Sequence, residues 1–240
     1  MGPGRVSNAP VPSNPCLCVN ERNHMNKSIK KIVGPRTPQN LDEQQRRQFH
    51  LPNVLLGIAA ILLLASMFLP YWKMTLNAPQ YPGGLSIEVY VNRMTGDVSE
   101  IDGLNHYIGM RPLGEAAQLE RAISMVAVGI LVLLTLAAIF VRSPWALLLA
   151  LPAILWPFIF IADMYYWMRH FGLNLDPTAP LSSSIEPFVP PILGSGMVGQ
   201  FETIASFQIG LWMAFLAVAL ILAGLYYQRR VYKPLTDAGH

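Results

Sequence analysis

Residues Ala122–Met168 read "AISMVAVGILVLLTLAAIFV", then Arg142-Ser143, then "PWALLLALPAILWPFIFIADMYYWM". Each run is long enough for an apolar helix of roughly 20 residues, the length that crosses a bilayer core. Two residues between them leave no room for anything but an antiparallel helical hairpin. Working outward, "LPNVLLGIAAILLLASMFLPYW" (Leu51–Trp72) and "IASFQIGLWMAFLAVALILAGLYY" (Ile204–Tyr227) have the same character. Tyr71, Trp72, Tyr165, Tyr166, Trp167, Tyr226 and Tyr227 cluster at span ends, where amphipathic rings sit at the headgroup level. The 240-residue chain is 52% hydrophobic and 13% charged, against about 25% charged in soluble domains. The expected fold is an all-α membrane bundle of four transmembrane helices with a small β-containing extracytoplasmic cap.

Lys and Arg set the orientation. Twelve lie before the first span, in the Arg142 linker or after the last span, and five in the two other connections. The positive-inside rule then places both termini in the cytoplasm. The predicted order is a largely disordered basic tail (1–50), a span (51–72), a cap segment (73–121), spans at 122–141 and 144–168, a Pro/Gly-rich outer loop (169–203), a span (204–227) and a tail (228–240). The first span is too long for a signal h-region and lacks a small-residue cleavage site, so it reads as an anchor. Met25 opens "MNKSIKK", which resembles a bacterial start, so residues 1–24 read as an over-extended start or a disordered tail.

In the first outer segment "LSIEVYV" (Leu85–Val91) alternates as a half-buried strand. Tyr81–Gly84 is expected to turn into it, "NRMTGD" to turn out of it, and "VSEI" to return as a second strand. The second outer segment, with its Pro, Gly and Ser, is expected to be neither regular helix nor sheet. Its apolar residues, among them Ile185, Phe188, Met197 and Phe201, must still pack on something.

The candidate chemistry centres on "NHYIGM" (Asn105–Met110). Imidazole and thioether are borderline and soft donors, which favour copper over Mg or Ca. His106 and Met110, four apart, reach one ion if the segment is a helical turn. Met94, Met168 and His170 are additional possible ligands, in a pool that also includes Met74 and Met197. The alternative is structural: His106 bonds a carbonyl while Tyr107 and Met110 pack the cap. Asp163, the only acidic residue within a span, shares a helix face with His170 and suggests a relay or an interfacial cap. Gln208 is expected to bond between helices, and Pro152 and Pro157 to kink the third span. Cys16-Leu17-Cys18 is a possible metal-exchange pair; no other cysteine exists to staple a fold.

Phosphate loops, G-x-S-x-G, H-E-x-x-H and C-x-x-C-H are absent from the sequence, which points away from an enzyme. Basic residues do not interleave with aromatics, so nucleic acid is not an expected partner. The stretches "LPYWKMTLNAPQYPGGLSIEVY", "GLNHYIGM" and "PFVPPILGSGMVGQF" resemble an uncharacterised bacterial family of four-span membrane proteins. That family is associated with gene neighbourhoods for nitrous oxide reduction and copper handling. The resemblance spans Leu69–Phe207. It implies an accessory role in maturing a periplasmic copper enzyme, with His106 and Met110 as first ligand candidates and Asn105 and Tyr107 as supports. The expected function is therefore an accessory protein whose cap binds copper or docks a periplasmic or membrane partner. The alternatives are a small structural subunit of a respiratory or oxidase complex, and a permease-like component using Asp163.

Overall fold

The computed structural model describes residues 43–181, 184–198 and 201–237. Cys16, Cys18 and the reading of residues 1–24 lie outside the described residues. Helix α1 spans Glu43–Ser66, followed by β1 (Trp72–Ala78), β2 (Tyr81–Val89), β3 (Met94–Gly96) and α2 (Val98–Ile108). A short 3-10 turn, Leu113–Glu115, leads into α3 (Gln118–Phe140) and α4 (Trp145–Leu173). Then come β4 (Gly194–Val198), β5 (Phe201–Phe207) and α5 (Ile209–Asp237).

Helices α1, α3, α4 and α5 are each long and apolar enough to cross a membrane. They pack in a ring, α1 against α3 and α5, and α4 against α3 and α5. Alanines bring the helix backbones close: Ala59 and Ala60, Ala150 and Ala153, Ala214 and Ala217 are all buried in the bundle core. Small residues at helix interfaces favour close van der Waals packing where lipid supplies no hydrophobic contrast. The outward faces stay apolar and exposed, as at Leu133, Phe140, Leu148 and Trp212. Gln228 reaches across from α5 and donates to the carbonyls of Ala138 and Val141, satisfying the end of α3. Helix α4 runs unbroken through Pro152 and Pro157.

The helices overrun two predicted boundaries. Helix α1 starts upstream of Leu51 because "EQQRRQF" carries good helix formers, and Phe49 packs edge-on to Tyr232 at 5.3 Å between ring centres. That contact extends the α1–α5 pair beyond the apolar window and takes part of the predicted tails into the bundle. At the other end the spans are shorter than predicted. Trp72 belongs to β1, and Ile204–Phe207 belong to β5.

The sheet corrects the sequence reading most. Its order is β3-β2-β1-β5-β4, antiparallel throughout. The second outer segment, expected to be irregular, supplies β4 and β5. Strand β5 pairs with β1 from Trp72↔Phe207 to Asn77↔Glu202. The two outer segments thus form one sheet. Strand β1 carries a period-two pattern: Trp72, Met74, Leu76 and Ala78 are buried, with Lys73, Thr75 and Asn77 between them less so. In β2, Leu85 and Ile87 are buried on the predicted face. The hairpin turn is Pro79-Gln80, and Tyr81–Gly84 lie inside β2 rather than forming the turn.

"VSEI" is the first turn of helix α2 and not a strand. Val98, Ile101, Asn105 and Ile108 recur at three- and four-residue steps, the period of a helix, and the last three are buried. Asp97 sets the start. Its N–H donates to the Ser86 carbonyl and its carboxylate accepts the Ser86 N–H, tying the helix to β2.

Sheet and bundle meet at Tyr71, which is fully buried. Its hydroxyl accepts from Trp156 Nε1 (3.2 Å) and lies 2.9 Å from Ser66 Oγ, which itself donates to the Leu63 carbonyl. Burial pushes the Tyr71 hydroxyl pKa up. Among the described residues Gln208 makes no interhelical bond. Its side chain donates to Ser206 Oγ, and its backbone N–H donates to the Tyr71 carbonyl. The residue sits where β5 turns into α5, so its bonds are used to hold that corner.

Candidate functional site

The "NHYIGM" segment ends a helix and does not continue one. Helix α2 stops at Ile108, and Gly109 takes φ +82°. The Gly109 N–H donates to the His106 carbonyl and the Met110 N–H to the Asn105 carbonyl. This pair of bonds is a Schellman closure, which requires a left-handed residue and so favours glycine. The segment is also a docking point for the second outer segment. The Asp176 N–H donates to the Gly109 carbonyl and the Leu181 N–H to the Tyr107 carbonyl.

The helix end separates the two leading ligand candidates. His106 is exposed on α2, where it acts weakly on Asp176. Met110 lies past the reversal and is buried with Ile108 and Phe171. A shared helical turn was the reason for pairing them, and they do not share one. Tyr107 is exposed, and its ring packs edge-on to His106. Asp176 Oδ1 accepts from the Thr178 hydroxyl (2.6 Å) and backbone N–H (2.8 Å), which holds its carboxyl below the usual range.

His170 stacks on Tyr166 at 5.8 Å and is edge-on to Trp167, with Nδ1 3.4 Å from Asn174 Nδ2. It is held as an aromatic at the end of α4. Asp163 lines a cavity that His170 does not line.

Two cavities lie under the sheet. The smaller, about 30 Å³, is lined by Met74 of β1, Met110, Met168 of α4, Asn105 and Thr203, among apolar neighbours. Asn105 is buried, and its Nδ2 has no hydrogen-bond partner among the described residues. The larger, about 290 Å³, lies between α3, α4 and the sheet, and Met110 and Met168 line it too. Its walls are almost wholly apolar, with Trp72, Trp156 and Phe160 among them, and Glu120 and Asp163 are its carboxylates. Met94 lines it as well.

Copper can be tested against these placements. Among the described residues no three His, Cys, Asp or Glu side chains gather at one point, so a His-based site has no support in the fold. Three methionines do line one cavity, Met74 of β1, Met110 in the segment after α2 and Met168 of α4, and thioether is a soft donor suited to Cu(I). Met164, Trp167 and Phe171 are the residues the sequence reading leaves out, and their signal is the helical period that sets them on one α4 face with Asp163 and Met168.

The fold is thus four helices long and apolar enough to cross a membrane, joined to a five-stranded antiparallel sheet that gathers both longer connections. No protein-family model matches the chain, and no curated protein is similar to it.

Proposed function

We propose that this chain is a non-enzymatic accessory protein of a bacterial cytoplasmic membrane. Both termini lie in the cytoplasm and the β cap faces outward, as the excess of Lys and Arg in the terminal segments and the Arg142 linker favours. The cap takes up copper as Cu(I) through Met74, Met110 and Met168, for delivery to a periplasmic or membrane-bound partner. The observation carrying this reading is that three methionines line one small cavity. Asn105 borders the same space, and a half-turn of its amide presents an oxygen there instead of a nitrogen. The copper-handling association implied by the sequence resemblance agrees with this donor set, although His106 is no longer part of it.

The test uses the purified protein with Cys16 and Cys18 replaced by serine, so that the tail thiols take no metal. Titrated against a chromophoric Cu(I) chelator, it takes up one ion per chain. Met110→Leu and Met168→Leu, which conserve volume, each weaken uptake on the order of tenfold or more, and His106→Ala does not. Loss of uptake in His106→Ala alone, or no uptake at all, overturns the reading. A second reading then leads, a small structural subunit of a respiratory or oxidase complex. The edge strand β4, with Met197 exposed in it and Leu193 exposed just before it, favours that second reading.

A further inference from the structure

The 290 Å³ cavity approaches the lower end of small-molecule sites, which run from about 300 Å³ upward. Its place in the fold restricts what enters it. Ile123 of α3 and Ile159 of α4 line it and are half exposed on the outer, apolar surface of the bundle. Its mouth therefore opens sideways between two membrane-crossing helices, toward lipid. Its roof is the sheet, with Ile87, Val89 and Met94.

The apolar lining is broken by Glu120, Arg121 and Ser124 of α3 and, on one face of α4, by Asp163 and Trp167. Trp167 Nε1 is buried and has no hydrogen-bond partner among the described residues. Its nearest acceptor is the Asp163 carboxylate one turn earlier, which it approaches closely enough to interact with but short of full hydrogen-bond geometry. A buried indole N–H ordinarily finds an acceptor, and a carboxylate accepts only. One hydroxyl group satisfies both: its oxygen accepts from Trp167 and its proton is donated to Asp163.

We propose that this cavity binds a membrane-soluble hydroxylated amphiphile. Its hydroxyl bridges Trp167 Nε1 and the Asp163 carboxylate, and its hydrocarbon part lies between α3, α4 and the sheet. The site adjoins the thioether cavity, with Met110 and Met168 lining both, but its hydroxyl partners, Trp167 and Asp163, are not among the proposed copper ligands. Prenols, diacylglycerols and quinols carry the same hydroxyl-plus-hydrocarbon chemistry.

The experiment is equilibrium binding of radiolabelled farnesol to the full chain in phosphatidylcholine nanodiscs, with protein-free nanodiscs as the blank. Saturable binding of one farnesol per chain is expected, displaced by unlabelled farnesol and not by farnesane, the saturated hydrocarbon lacking the hydroxyl. Trp167→Phe keeps the ring, removes the donor and is expected to weaken binding by about tenfold, the scale of one hydrogen bond. Competition by dioctanoylglycerol and by decylubiquinol ranks the sources of the hydroxyl. Equal displacement by farnesane and farnesol overturns the proposal, as does the absence of saturable binding. The farnesane comparison is made on the wild-type protein, so a misfolded variant cannot obscure it.

Discussion

Gly109→Ala lowers the stability of the purified protein by about 2 kcal/mol or more, whereas His106→Ala, three residues away, changes it by less than about 0.5 kcal/mol. The asymmetry follows from what each residue does. Gly109 holds φ +82° at the end of α2, and a side chain in that region costs roughly 1–2 kcal/mol. A Cβ there also meets the Asp176 backbone, 2.6 Å from its oxygen and 2.9 Å from its nitrogen. The alanine must therefore push away the segment that the Gly109 carbonyl holds by hydrogen bond. His106 is exposed and makes one edge contact with Tyr107. Denaturant unfolding in detergent, followed by circular dichroism, measures both variants. Equal losses would mean that the imidazole carries structural weight not visible in its surroundings.

Trp72→Ala costs about 3–5 kcal/mol, the range for truncating a large aromatic in a packed core. Trp72 is fully buried at the start of β1, among Ile87, Leu113 and Ala205. Its indole N–H donates to the Ile192 carbonyl at 2.7 Å, across 120 residues of sequence. Alanine opens a void and leaves that carbonyl without the indole donor. Trp72→Phe separates the two effects: it keeps most of the packing and loses the bond, for about 1–3 kcal/mol. The same unfolding measurement checks both. A Trp72→Ala loss below that of Trp72→Phe would place the indole outside the core.

The bundle was legible in the sequence because a bilayer imposes a long, one-signal pattern. Twenty apolar residues in a row have one common reading, and all four spans were found on that ground. Strand β2 was legible for a similar reason, since "LSIEVYV" alternates cleanly. The rest of the sheet was harder to read because strands are short and their partners distant. "WKMTLNA" alternates too, but it follows directly on an apolar run, so Trp72 read as the end of a span. "GSGMV" and "FETIASF" lie in a Pro/Gly-rich stretch, and their sheet character comes from pairing β5 with β1 rather than from local propensity. Val98–Ile101 is too short to separate a period of two from one of 3.6; the next seven residues, through Ile108, decide for helix.

The site was legible in its residue types and not in its grouping. Met110, Met168 and Asn105 were candidates, and the fold puts all three on one cavity with Met74. His106 was paired with Met110 by a spacing that holds only inside a continuous helix, and Gly109 ends the helix between them. Asp163 stood out because a carboxylate in a span is rare. Its neighbour Trp167 did not, because an aromatic near a span end has an ordinary explanation in the headgroup region.

The pairing of β1 with β5 closes the two longer connections into one sheet and roofs the thioether cavity, which Met74 and Leu76 of β1 line together with Phe201 and Thr203 of β5. Asn77 and Glu202 are opposed across β1 and β5, and Asn77 Nδ2 donates to Glu202 Oε2 at 3.2 Å. Directly opposed strand residues lie about 4.5–5.5 Å apart between Cα atoms, within disulfide range, and diagonal pairs about 7–8 Å. In a background without Cys16 and Cys18, Asn77→Cys with Glu202→Cys should oxidise within one chain, shifting its mobility on a non-reducing gel. Thr75→Cys with Glu202→Cys, on the diagonal, should stay reduced. Cross-linking of the diagonal pair in preference to the opposed pair, or of neither, would contradict the closed sheet and the thioether cavity beneath it.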